Sequence, residues 1–526
     1  MRRRHLFLGT AGALAAPRIV GAQSAASRTV RFVPQADVAV LDPVVTTATV
    51  TLVHGMAVFD TLYATDAEYR VQPQMVAGHV ISADGREWNL TLREGLRFHD
   101  GEPVRARDCV ASIRRWWARD NFGGELMAAT DELSAPDDRT IRFRLRRPFP
   151  LLPRALGKVT SPMPAMMPER LASLDPARPV PEVVGSGPFR FLSAERVSGA
   201  RLAYERFAGY VPRPDGAASR TAGPKVANIE RVEWHILPDP ATAAAALQQG
   251  EVDWLEYAPP DLLPLLRRRR DVTVAVTEES SLSTLRLNHL HPPFDNPGVR
   301  RAILGGVDQA AFMTAAFGED RSTWSDRAGV FLPGTPMASE AGMEVLTGPR
   351  DMAKVRRELA AAGYRGEKVL LLQPNDFPLI KAQCEVAADL FRRAGMTVDV
   401  YGADWGSVTT RRASREPVER GGWSAFVSGF SSGGVLDPVA HLGLRANGAG
   451  AWFGWPDSPR LEALRQDWMV APDEASQRQI AEAIQVQFWQ DVPYAPIGQY
   501  FRVMAHHRSL GGFPVGMSAF WNVRRG

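Results

Sequence analysis

Trp88-Asn89-Leu90-Thr91-Leu92-Arg93-Glu94-Gly95-Leu96-Arg97-Phe98-His99-Asp100-Gly101-Glu102-Pro103-Val104-Arg105-Ala106-Arg107-Asp108 is the stretch from which the fold is read. Trp88, Leu90 and Leu92 alternate with polar residues, the period of a strand with one buried face. Asp100-Gly101 supplies a tight turn. Residues 105–119 carry Val110, Ile113, Trp116 and Trp117 on one side, which predicts an amphipathic helix. Asp108 falls in its first turn, where an acid meets the positive end of the helix dipole. His99 and Asp100 read as turn residues, not as a catalytic pair.

Outward from this segment the chain alternates strands and helices. Strands are expected near 29–34, 139–145, 189–192, 201–204, 231–236, 272–276, 285–288, 369–372 and 398–401, with a last extended stretch at 494–503. Helical stripes fall near 50–62, 242–249, 299–307, 349–362, 379–394 and 476–489, and Gly250 suits a helix end. Prolines between 148 and 188 break that region into short pieces. The run Arg267–Arg270 reads as the solvated end of a short helix. The later half, with helices between strands, has the order of an α/β layer.

The 526 residues carry 62 Lys+Arg against 58 Asp+Glu. The excess lies entirely in residues 1–22, which hold Arg2, Arg3, Arg4 and Arg18 and no acid. The remainder is neutral, which gives no footprint for nucleic acid or an anionic membrane. Residues 1–22 have the form of a cleavable export signal: a cationic start, an apolar stretch from Leu6 to Ala16, and small residues at Val20-Gly21-Ala22 before Gln23. Arg3-Arg4-His5-Leu6-Phe7 is close to a twin-arginine core, with a general secretory signal as the alternative. No cysteine stands at the cleavage site, so a lipid anchor is not indicated. The two cysteines, Cys109 and Cys384, lie in apolar helical patterns and are expected as buried thiols, with a long-range disulfide as the alternative.

Enzyme chemistry finds little support. His289 and His291 have the spacing that puts two imidazoles on one strand face, with Asp295 nearby, but no third-ligand motif accompanies them, and no metal is expected. There is no Gly-x-Ser-x-Gly elbow and no phosphate-binding Gly-Lys-Ser/Thr loop. No catalytic residue and no cofactor are assigned.

The opening segment resembles the signature of bacterial extracellular solute-binding proteins, family 5, the dipeptide and oligopeptide receptors of ABC importers. Further matches follow in order: Gly185-Ser186-Gly187-Pro188-Phe189, Asn288 with Pro292-Pro293-Phe294-Asp295-Asn296, Ala361-Ala362-Gly363-Tyr364, Asp437-Pro438 and Val492-Pro493-Tyr494-Ala495-Pro496-Ile497. The resemblance implies an α/β fold: a two-lobed periplasmic-binding-protein (Venus-flytrap, type II, cluster C) with an extra subdomain inserted in lobe I. Its expected parts are a signal peptide at 1–22, a lobe I core of 23–62, 184–280 and 495–526, an inserted subdomain at 63–183, and lobe II at 281–494. It further implies a periplasmic monomer that carries a small peptide or peptide-like solute to the ABC permease subunits of the inner membrane.

By position in the family, Thr47, Ala48 and Thr49 and the loop Gly429, Phe430, Ser431 and Ser432 would pair with the ligand backbone. Such pairing gives affinity without reading side chains. Trp405 and Arg412 stand where relatives carry pocket residues, and Gln373 and Asn375 follow a strand end expected to face the cleft. Peptide-binding relatives place an aspartate in this loop for the ligand's ammonium, whereas here Ser431, Ser432, Gly433 and Gly434 are followed only by Asp437. Either Asp437 reaches the amine, or the ligand has no free ammonium at that point. An N-blocked peptide, an opine-like conjugate, a glycoside or a metal chelate are the alternatives that follow.

Overall fold

A computed structural model describes residues 28–526. The expected export signal therefore lies outside the described residues. The opening segment forms the strand Glu87–Leu92 and the helix Ala106–Trp117. The Asp108 carboxylate accepts the Arg105 backbone N–H at 2.8 Å and the Glu169 N–H at 2.9 Å, so the acid in the first turn also ties down a neighbouring segment.

The turn between strand and helix docks on the Gly185-Ser186-Gly187 segment. The His99 N–H donates to the Gly185 carbonyl at 2.8 Å, and its ring Nε2 lies 3.0 Å from the Gly187 carbonyl. The Gly187 N–H in turn donates to the Val58 carbonyl at 2.8 Å. A Cβ on Gly185 would stand 2.1 Å from that same carbonyl. The two glycines thus let a loop lie directly on the end of the helix Thr49–Val58. This explains why that helix stops short of residue 62: Phe59 is extended, and the Val58 carbonyl is committed to the loop.

An eleven-stranded mixed sheet forms the spine of the described residues. From one edge its order is Val398–Ala403, Val369–Pro374, Ala425–Ser431, Val272–Leu287, Tyr494–His507, Trp254–Leu255, Thr29–Val33, Arg231–His235, Arg201–Arg206 and Phe189–Phe191, with Trp324–Ser325 also paired to Tyr494–His507. The first three strands are parallel and form one wing. Thr29–Val33 runs parallel to both neighbours in the other wing. Val272–Leu287 and Tyr494–His507 are the crossing strands, antiparallel partners that belong to both wings.

The sequence reading expected separate strands at 272–276 and 285–288. The structure joins them into one strand of 16 residues, because a bulge absorbs the polar stretch between. Val276 pairs with Val503 and Ser280 with Phe501, so residues 277–279 face Arg502 alone. A four-stranded antiparallel sheet is separate from the spine: Val76–Ile81, Glu87–Leu92, Thr140–Leu145 and Thr130–Ser134. Cys109 and Cys384 are buried and free; burial pushes the Cys384 thiol up to about 12.

Candidate functional site

In open α/β sheets ligands bind beyond the carboxyl ends of parallel strands, where the strand order reverses. In one wing those ends are Pro374, Ala403 and Ser431; in the other they are Val33, Leu255 and His235. The crossing strands lie between the two sets.

In the wing that ends at Ser431, Asp404 caps the short helix Trp405–Arg411 by accepting the Ser407 N–H at 2.9 Å. Asp376 accepts the Trp405 N–H at 2.7 Å, which joins the two strand-end loops. Arg412 follows, its guanidinium carbon 5.7 Å from the Trp405 ring, 5.8 Å from Phe426, 5.4 Å from Trp452 and 5.0 Å from Phe453. Its side chain makes no hydrogen bond and no ion pair with any described residue, and its Nε is buried without a partner. Burial lowers its pKa to about 10. Aromatic faces favour a cation, but they do not replace a carboxylate. Arg411, by contrast, donates to the Gly422 carbonyl at 3.0 Å.

Gln373 is half-buried and Asn375 is exposed, with its side chain above Gly402. Gly429 is exposed, and beyond residue 426 its strand has no partner on the side of Val369–Pro374. Phe430 packs on Trp452 with centroids 5.2 Å apart, so the loop borders the Arg412 cage. Ser432 is buried and accepts a hydrogen bond from the Tyr69 hydroxyl at 3.2 Å. Thr47 and Ala48 are exposed ahead of the helix Thr49–Val58. No hydrogen bond joins these three residues to the 429–432 loop. The 160–163 segment lies between: the Pro43 carbonyl accepts the Met163 N–H at 3.0 Å, and Thr160 stands 3.1 Å from where a Cβ on Gly433 would be.

Asp437 faces the fold. Its Oδ1 accepts the Val439 and Ala440 N–H groups at 2.9 and 2.8 Å, and its Oδ2 lies 2.9 Å from Arg154 of the helix Leu152–Leu156. The contact spans the seam between the 152–160 segment and the loop. Arg445 reinforces the seam by donating to the Asn121 side chain at 2.8 Å.

Sequence reasoning missed a second polar group at the crossing. Arg502 donates to Glu256 at 2.7 Å, Ser518 at 3.0 Å and Glu279 at 3.3 Å. The other Glu256 oxygen accepts the Gln35 N–H at 2.9 Å. Arg220 packs its guanidinium carbon 4.6 Å from the Tyr69 ring and donates to the Gly516 carbonyl at 3.1 Å. Glu279 falls between the strands expected at 272–276 and 285–288, and Arg502 lies in the stretch expected at 494–503; only the pairing register brings them together. His289 and His291 do not converge. The His289 ring is buried, and His291 Nε2 lies 2.8 Å from the Arg415 carbonyl.

The profile of bacterial extracellular solute-binding proteins, family 5 (middle region), matches residues 70–451. A probable peptide ABC transporter periplasmic-binding protein of Sinorhizobium fredii, y4tO, is 35% identical over 99% of each chain. Among solved structures, the Helicobacter pylori protein DppA with the peptide STSA superposes with a TM-score of 0.80 at 19% identity, covering 94% of this chain and 98% of that one. AgaA of Agrobacterium tumefaciens R10 with agropinic acid gives 0.79 at 20% identity, covering 95% and 99%.

Proposed function

Because the chain belongs to the bacterial extracellular solute-binding proteins, family 5, we propose that it is the substrate-binding component of an ABC importer for a di- or oligopeptide or peptide-like solute. The family consists of binding proteins, and the role asks for no catalytic group. The ligand lies between two lobes that close on it, and the closed form hands it to the membrane permease. Lobe I comprises 23–62, 184–280 and 495–526 with 63–183 inserted, and lobe II comprises 281–494. The separate four-stranded sheet within 76–145 and the passage of two long strands between the wings support this division. No helix among the described residues is long and apolar enough to cross a membrane. On this reading the protein is released to the periplasm after cleavage of 1–22 and acts as a monomer.

The observation that carries the reading is Arg412. A largely desolvated guanidinium held by four aromatic rings and given no acceptor is costly by itself. It becomes favourable when a carboxylate enters. A peptide C-terminus supplies one, and so does an organic acid such as the agropinic acid in the AgaA complex. Thr47–Thr49 and Gly429–Ser432 then pair with the ligand backbone, Gln373 and Asn375 add donors, and Trp405 forms a wall.

Thermal-shift screening of the purified protein against peptide and non-peptide libraries tests the reading, with X-ray scattering to follow compaction. A stabilising peptide-like carboxylate is expected, with binding weakened at least tenfold in Arg412→Gln, about the loss of one charge-assisted hydrogen bond. Stabilisation only by compounds without a carboxylate, or unchanged binding in Arg412→Gln, overturns it.

A further inference from the structure

Of the carboxylates of Asp437, Glu256 and Glu279, two are saturated. Asp437 is spent on two backbone N–H groups and Arg154, and Glu256 on Arg502 and the Gln35 N–H. Glu279 differs. Among the described residues its carboxylate accepts a hydrogen bond only from Arg502, at 3.3 Å to one oxygen, and the other oxygen accepts nothing. The side chain keeps 13% exposure, against 0% for Glu256 and 1% for Asp437. A desolvated carboxylate is ordinarily held by two or three donors. Glu279 is therefore the one member of the three that is both short of partners and open.

Its surroundings hold charges of both signs. Glu279 ends the bulge between the crossing strands, facing Arg502. Tyr500 lies beside it, with its hydroxyl 3.3 Å from where a Cβ on Gly429 would stand, so the carboxylate adjoins the loop that pairs with ligand. The Tyr257 hydroxyl close by makes no hydrogen bond to any described residue. Arg220 is held through Gly516 and Arg502 through Ser518, two residues apart. Arg220 has its Nε buried without a partner. Two arginines and two glutamates balance, so the corner admits an ammonium best when the same ligand brings an anion, as a zwitterion does.

We propose that Glu279 reads a free ammonium of the ligand, the task for which the 429–434 loop has no carboxylate. This rests on the receptor reading above and narrows it. The solute carries a protonated amine at the crossing strands and a carboxylate at the Arg412 cage. The amine occupies Glu279 where the two wings hinge, so binding it adds a contact at the place that must bend.

The test titrates a panel of di- and tripeptides, and the same peptides N-acetylated, into the wild-type chain, Glu279→Gln and Glu279→Asp by calorimetry. Wild type is expected to prefer the free amine by roughly 10- to 100-fold. Glu279→Gln is expected to lose that preference while binding the acetylated peptides as wild type does, and Glu279→Asp to keep part of it. Equal binding of both forms by wild type, or a preference that survives in Glu279→Gln, overturns the role of Glu279 and leaves the receptor reading intact. The wild-type comparison decides this even if a variant fails to fold. No binding of either set by a cooperatively melting wild-type chain overturns the peptide-like reading, and the assignment of Glu279 with it.

Discussion

At the scale of single residues, histidines set how the protein meets acid. Burial lowers the His54 and His441 pKa values to about 3 and that of His99 to about 4. Each is neutral in the fold and takes up a proton near 6.5 once unfolded. The unfolded state thus binds more protons below pH 6.5. The stability these residues allow is present above that pH and is lost as pH falls towards 4 and then 3. Each contributes up to ~1.4 kcal/mol per pH unit within its window. Thermal melts from pH 7.5 to 4.5 should show a falling midpoint, and His54→Phe should flatten that limb although it strands the Tyr204 hydroxyl, 2.9 Å from His54 Nδ1. A second residue-scale expectation concerns Arg115 and Asp42, paired at 2.7 Å with both side chains 0% exposed. Arg115→Met leaves a buried carboxylate without its cation and should cost about 3–5 kcal/mol in denaturant unfolding.

At the scale of elements, the family signature turns out to be a joint. His99, read from sequence as a turn residue, is one: it clasps the two glycine carbonyls of 185 and 187. Gly187→Ala would place a Cβ 2.7 Å from the Val58 carbonyl carbon and force the loop off the helix end. A loss of about 1–3 kcal/mol, seen as a lower urea midpoint, is expected. The strand 88–92 and the helix 105–119 were legible because period and turn chemistry agree there. The helix expected at 50–62 ran too long because the loop that claims the Val58 carbonyl comes from 129 residues further on. The strand Val272–Leu287 was read as two pieces because Thr277-Glu278-Glu279 breaks the apolar alternation, and nothing local announces a bulge. Arg412 and Trp405 were found by position in the family, and the structure sets them face to face. Tyr69, Arg220, Glu279 and Arg502 were not found, since each is an unremarkable surface type until strands distant in sequence pair.

At the scale of the molecule, the receptor reading makes the seam between the 152–160 segment and the 432–445 loop a contact that forms as the wings approach. Arg154 meets Asp437 at 2.9 Å without the alignment of a good hydrogen bond and stands 5.7 Å from the Trp468 ring. Arg154→Ala removes the contacts to Asp437 and Trp468 that hold this seam. A contribution of about 1 kcal/mol, ordinary for a part-exposed pair, weakens apparent ligand affinity about fivefold. X-ray scattering of the ligand-free variant should give a larger radius of gyration than wild type. An unchanged radius with unchanged affinity would show that the seam contributes nothing to closure.

The strand Tyr494–His507 lies in the middle of the sheet, between Val272–Leu287 and Trp254–Leu255, although it is nearly the last to be made. Until it arrives, both neighbours present open edges of the kind that recruit foreign strands. A ribosome that has reached residue 490 holds two half-sheets that cannot yet join. Between synthesis of Leu287 and of His507 those two edges stay without their central partner. A transport route that accepts only folded cargo can act on this chain only after that partner is in place.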